Sequence, residues 1–206
     1  MKNQEKIALI SVYNKEGLEQ LVRTLNKYRY KMIASSGTAK KIKKMGYEAT
    51  EISKYTGFPE SPNGLVKTLH PKIHGGLLLN PKNHEHKRYM EETGIKAIEI
   101  IIINLYPFEE VIKRGKTTIK EAAENIDIGG PAMIRAAAKG ALLNGRPAII
   151  INPNQYPMII SELERNNGEI KKETTIRLAI SAFKRTMRYD KTIVNYLKKI
   201  FGDNDG

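Results

Sequence analysis

The 206-residue chain contains no cysteine and no tryptophan, and its acidic residues run well short of its basic ones. Without thiols there is no disulfide framework, no thiolate metal site and no cysteine nucleophile. Long hydrophobic runs are missing too. The amino-terminal MKNQEKIALISVYNK is too briefly apolar for a signal peptide or a membrane span, and nothing later reaches membrane length. A soluble, cytoplasmic protein of one domain is expected, long enough to bury a core without crosslinks. What is abundant is positive charge: 35 Lys and Arg against 22 Asp and Glu, a formal +13. Such a surface attracts phosphate-bearing partners. The cations are spread along the chain without interleaved aromatics. The expected ligand is therefore a phosphorylated metabolite, with no specific nucleic acid and no membrane.

Apolar runs alternate with helical periodicity. Residues 6–12, 31–34, 47–52, 98–106 and 148–152 read as strands, of which IEIIIINLY is buried on both faces. Helices are expected near 15–29, 39–45, 83–94, 107–113, 118–125 and 131–144. The order predicts an α/β fold with a mostly parallel sheet and helices on both faces. Residues 153–166 and 173–200 add C-terminal helices to a core of about 6–152. The second carries Ile176, Ile180, Phe183, Met187, Val194 and Leu197 as a stripe expected to pack on the sheet, a dimer interface being the rarer alternative.

Three segments carry candidate chemistry. Ser35-Ser36-Gly37-Thr38 joins a strand to a helix, where free backbone N–H groups attract phosphate, although Ser and Thr also serve as ordinary caps. Asp127-Ile128-Gly129-Gly130-Pro131 marks a second abrupt helix start with a carboxylate beside it. On that helix Arg135 and Lys139 share a face. The third segment, residues 63–76 (NGLVKTLHPKIHGG), reads as a stiff loop presenting Lys67, with His70 and His74 too poorly supported by carboxylates to make a metal site. Asn104 and Tyr106, at the end of the most buried strand, reach the same edge. Lys67, Asn104, Tyr106, Asp127 and Lys139 make an acid–base set around a phosphate pocket. The residues alone leave an enzyme and a sensor for a phosphorylated metabolite both open.

Longer motifs extend this reading. They are Ile10-Ser11-Val12 with Lys15, Ala34-Ser35-Ser36-Gly37-Thr38-Ala39, Thr56-Gly57-Phe58-Pro59-Glu60, the run from Val66 to Gly76, Asn104-Leu105-Tyr106-Pro107-Phe108, and the unbroken run from Glu124 to Lys139. Together they resemble the inosine monophosphate (IMP) cyclohydrolase domain of the bifunctional AICAR transformylase/IMP cyclohydrolase family, which has a methylglyoxal-synthase-like fold. The resemblance runs from about residue 6 to residue 200. It implies dehydrative ring closure of 5-formamidoimidazole-4-carboxamide ribonucleotide to IMP in purine biosynthesis, with neither folate nor metal as cofactor. It also implies catalytic roles for Lys67, Asn104, Tyr106, Asp127 and Lys139. Nucleotide contacts are implied for Ser11, Lys15, Ser35, Ser36, Gly37, Thr38, Val66, Thr68, Ile128, Gly129 and Gly130.

Four departures stand out. Leu65 replaces the family's usual arginine, Tyr13-Asn14 its usual Ser-Asp, and Gly140 the asparagine that usually follows Lys139. The 206 residues also hold no counterpart of the folate-using transformylase domain: the chain is either a stand-alone cyclohydrolase, with a separate transformylase as its partner, or a piece of a longer protein, and a homodimer is the expected assembly. Methylglyoxal synthase, acting on a triose phosphate, and a non-catalytic phosphorylated-metabolite sensor are the alternatives on the same fold.

Overall fold

The computed structural model describes residues 5–61, 64, 66–113 and 117–202; Leu65 lies outside them. Five strands, β1 (Ile7–Val12), β2 (Lys31–Ala34), β3 (Thr50–Glu51), β4 (Ile100–Asn104) and β5 (Ala148–Ile150), form one sheet in the order β3-β2-β1-β4-β5. Every neighbouring pair is parallel. Ile7, Ala8, Leu9 and Ile10 are all fully buried. Successive strand residues point to opposite faces, so helices must cover the sheet on both sides. From β1 the chain passes through α1 (Leu18–Lys27), β2 and α2 (Ser36–Lys44) to β3, then crosses back to lay β4 on the other flank of β1. The direction of winding reverses there. The carboxyl ends of β1 and β4 therefore flank a crevice of the kind in which open α/β sheets bind ligands.

Two short elements differ from the sequence reading. Strand β3 holds only two residues, because Ile52 already opens α3 (Ile52–Thr56), which Gly57 ends at φ 75°. The presumed stiff loop after Lys67 contains a helix, α4 (Pro71–Leu78). Pro71 stands at its first position, where a missing N–H is harmless, and the His70 ring nitrogen accepts the Lys72 N–H at 3.1 Å as a cap. The remaining helices α5 (His84–Thr93), α6 (Phe108–Ile112), α7 (Ile119–Glu124), α8 (Gly129–Asn144), α9 (Tyr156–Arg165) and α10 (Lys172–Phe201) lie where periodicity puts them.

Helix α8 packs between α4 and α10, and α10 continues onto β5. The α4–α8 approach is close: a Cβ on Gly140 would come within 2.1 Å of the Leu77 carbonyl oxygen. The departure to glycine at 140 thus has a packing reason. Ala137, Ala138 and Ala141 of α8 and Ala179 and Ala182 of α10 are all fully buried, so small residues meet across that seam too. This reverses the expected orientation of α10. Its buried face is Leu178, Ala179, Ala182, Thr186 and Tyr189, whereas Ile180, Met187 and Val194 of the predicted stripe are exposed and Ile176, Phe183 and Leu197 only half-buried. Bulky side chains at the alanine positions would hold the helices apart, and Ile180, Met187 and Val194 stand outside. Among the described residues no helix is long and apolar enough to cross a membrane.

Candidate active site

A cleft of about 300 Å³ opens at the carboxyl ends of β1 and β4. Ser11 and Tyr13 reach it from β1, Ser35 from β2, Asn104 and Tyr106 from β4, Lys67 and Thr68 from the segment before α4, and Asp127 to Gly130 from the start of α8. Residues separated by more than a hundred positions meet here because the parallel strands all end on one edge.

The Asp127 turn shows why its residue types are needed. Asp127 Oδ1 accepts the Gly130 N–H at 2.8 Å and so caps α8. A Cβ on Gly129 would lie 2.1 Å from Thr68 Oγ1, and one on Gly130 would lie 2.3 Å from Asp127 Oδ2. Only glycines let Thr68, itself 5% exposed, close over the helix start. The Asp127 N–H is taken by the buried Tyr189 hydroxyl at 2.8 Å. Among the described residues no partner meets the N–H groups of Ile128 and Gly129, and these border the cleft.

Lys67 Nζ contacts Glu60 Oε1 at 3.0 Å, while Ser36 Oγ donates to Glu60 Oε2 at 2.9 Å. One carboxylate thus bridges the lysine and the loop opening α2. The Lys67 ammonium and the Ser36 hydroxyl hold Glu60 below the usual carboxylate range. Glu60 closes the Thr56–Glu60 motif, and no local signal distinguishes it from a solvated loop acid. At the head of α2, Ser35 makes no side-chain cap, so the first-turn N–H groups of Ser36, Gly37 and Thr38 remain available. Gly37 is exposed with open space around its Cα.

Other predicted residues take different parts. Thr38 is 1% exposed and its hydroxyl is tied to both the N–H and the carbonyl of Val12, at 3.2 and 3.3 Å, so its side chain is architecture. The Asn104 amide oxygen accepts the N–H groups of Tyr13 and Asn14 at 2.7 and 2.9 Å, and its nitrogen donates to the Asn14 carbonyl. It shapes the Tyr13–Asn14 turn at the cleft edge. Tyr13, one of the departures from the family pattern, stacks edge-on against Tyr106 with centroids 4.7 Å apart. Lys15 Nζ donates to the Tyr13 carbonyl at 3.2 Å, beside the cleft, and Val66 is exposed with its N–H bonded to Ser61 Oγ. Lys139 does not line the cleft. It lies exposed on α8, ten residues beyond Gly129 and so about 15 Å along the axis. Its neighbours there are Arg135, Leu142, Leu143 and Phe183.

A model of the MGS-like domain matches residues 17–132, more than half of the chain. The chain belongs to the MGS-like domain family. Beyond this MGS-like segment, residues 144–205 match the AICARFT/IMPCHase bienzyme family. Relatives include the bifunctional purine biosynthesis proteins PurH of Persephonella marina, 48% identical over 95% of this chain, and of Bacillus cereus, 44% identical over 97%. The chain spans 37% and 38% of their lengths. The crystal structure of ForH superimposes with a TM-score of 0.79 at 28% identity, covering 94% of this chain and all of that one.

Beneath Thr68, the His74 ring is held below its ordinary value by burial, which hydrogen bonding with the Thr68 backbone only partly offsets. The unfolded chain therefore binds the extra proton more readily. His74 contributes stability that is present above about pH 6.5 and is lost as pH falls towards its folded value. Glu5 and Glu60, both lowered, lose theirs only below about pH 4.5. The melting temperature should start to drop below about pH 6.5, and His74→Gln should flatten the curve between pH 6.5 and 5. An identical slope in the variant would remove His74 from this account.

Proposed function

We propose that the chain is an IMP cyclohydrolase that closes the ring of 5-formamidoimidazole-4-carboxamide ribonucleotide. The carboxamide nitrogen attacks the formyl carbon. One proton from that nitrogen and one from the formamide nitrogen then leave with the formyl oxygen as water. The observation that carries the reading is the convergence of Lys67, Asp127 and the unpartnered N–H groups of Ile128 and Gly129 on one cleft. Negative charge develops on the formyl oxygen only during ring closure. A fixed cation and two backbone donors suit that oxygen, since preorganised donors act most strongly on charge that appears in the transition state. Asp127 orients the amide and Tyr106 moves protons at the cleft mouth. Holding both reacting groups of one molecule together supplies much of the remaining rate. The substrate's phosphate belongs at the head of α2, with Ser36, Gly37 and the nearby Lys15. Glu60 keeps Lys67 oriented between that phosphate and the Asp127 turn. The likeness to PurH proteins over nearly the whole chain favours this reading over a triose-phosphate enzyme or a sensor.

Lys139 fits this reading through a second copy of the chain. Leu142, Leu143, Ile180 and Met187 are each more than half exposed and surround Lys139 and Phe183 on the outer face of α8 and α10. An exposed apolar patch of that extent needs covering. A two-fold homodimer would cover it with its own equivalent and carry Lys139 towards a partner's cleft.

Three outcomes are expected. Gly37→Asp, sterically free but anionic, should abolish IMP binding in a titration while leaving the melting temperature unchanged; retained affinity would move the phosphate elsewhere. Lys67→Ala should lower turnover about a hundred- to a thousandfold with little change in IMP affinity, whereas Lys72→Ala, outside the cleft, should be near wild type. Equal small effects would leave Lys67 without a catalytic part. Finally, Lys67→Ala and Lys139→Ala proteins, each inactive alone, should regain up to about a quarter of wild-type activity when mixed and allowed to exchange subunits. No recovery, or a monomer in sedimentation, would rule out the shared site.

A further inference from the structure

Helix α10 reaches the Asp127 turn, behind the cleft lining, through the Tyr189 side chain. Tyr189 is 1% exposed, and its hydroxyl accepts the Asp127 N–H at 2.8 Å. The ring cannot drift: Phe108 meets it edge-on with centroids 6.3 Å apart, and the Arg185 guanidinium lies 5.9 Å from its centroid. Arg185 is in turn 3.8 Å from Glu109, whose carboxylate also meets the Thr192 hydroxyl, so α6 and α10 are tied together around the tyrosine.

The bond acts on one end of the catalytic turn. Asp127 Oδ1 ties the far end through the Gly130 N–H, and the Tyr189 hydroxyl ties the near end through the Asp127 N–H. Between these two anchors stand Ile128 and Gly129, whose N–H groups are the proposed oxyanion donors. The Asp127 N–H itself is spent on Tyr189 and is not available to a ligand. Without the hydroxyl this half-buried N–H would lose its partner, and the turn would be free to shift towards another.

We propose that Tyr189 is a positioning residue for ring closure, holding the Asp127 backbone so that the Ile128 and Gly129 N–H groups face the developing oxyanion. The role rests on the cyclohydrolase reading. It assigns to the C-terminal helix a part in the chemistry that no residue of that helix performs by contact with substrate. A tyrosine serving only to fill the core would affect melting and leave the balance between turnover and binding unchanged.

The test is Tyr189→Phe, which keeps the ring and removes the acceptor. Tyr196→Phe is the comparison, since Tyr196 lies on the same helix and its hydroxyl donates to the Thr117 carbonyl at 3.0 Å, away from the turn. Turnover, Michaelis constant and IMP affinity are measured for both, with the exchange rate of the Asp127 amide read by nitrogen-15 NMR. Tyr189→Phe should lose about tenfold to a hundredfold in kcat, the cost of a small misplacement of reacting groups, while KM and IMP affinity stay within about twofold. Tyr196→Phe should keep its kcat. The Asp127 amide should be protected in the unaltered protein and exchange faster in Tyr189→Phe. Unchanged kcat in Tyr189→Phe with a lowered melting temperature would overturn the proposal, as would a freely exchanging Asp127 amide in the unaltered protein. Should the unaltered protein fail to turn over the formamido ribonucleotide, the cyclohydrolase reading falls, and amide exchange still decides whether Tyr189 holds the turn.

Discussion

The parallel pairing of β1 with β4, register Ala8 with Ile100 through Val12 with Asn104, is the constraint on which the site depends. It brings the carboxyl ends of two strands separated by nearly ninety residues to the same level. It also sets the Asn104 amide against the Tyr13 and Asn14 N–H groups, so that one side chain shapes the loop beyond the neighbouring strand. A one-residue slip would exchange the faces of every β4 side chain and move Asn104 off that turn. Ile100 to Ile103 are all at most 2% exposed, and a slip in either direction would put Glu99 or Asn104 into one of those buried positions.

Close helix contact is the second constraint, and it explains two features that look unrelated in the sequence. Gly140 lets α4 meet α8, while the alanines of α8 and α10 bring those helices together. The small residues consume the inner faces. Leu178 and Tyr189 go inside beside them, while Ile180 and Met187 are left to a surface shared with Leu142 and Leu143. The same close seam carries Tyr189 inward to the Asp127 turn. Packing at one face and chemistry at the other are set by a single helix.

The carboxylate of Glu60 illustrates how the site stays ordered while open. It holds the Lys67 ammonium, which borders the cleft, and the Ser36 hydroxyl at once. At about a third exposed, the pair is solvent-screened and adds little to stability. Its value lies in orienting the lysine, since a charge-assisted contact fixes direction more than it adds energy.

By itself the sequence determined the strand–helix alternation, the parallel sheet and the two helix starts at Ser35–Thr38 and Asp127–Pro131. Each is written in local terms: runs of β-branched residues, a 3.6-residue period, and Ser, Gly and Pro at positions that favour caps. The motifs also picked out Lys67, Asn104, Tyr106 and Asp127, four residues that do border one cleft. Tertiary structure alone decided the rest. It made Thr38 an internal tie and Asn104 a brace for the Tyr13–Asn14 turn. It set Lys139 about three turns of helix beyond the cleft. It also chose which face of α10 is buried, because a helical period marks an apolar stripe but not the room available beside it. Tyr189 and Glu60 gave no local sign of their parts, since a hydrogen bond across 62 residues or an ion pair across a turn depends on where the whole chain has brought its ends.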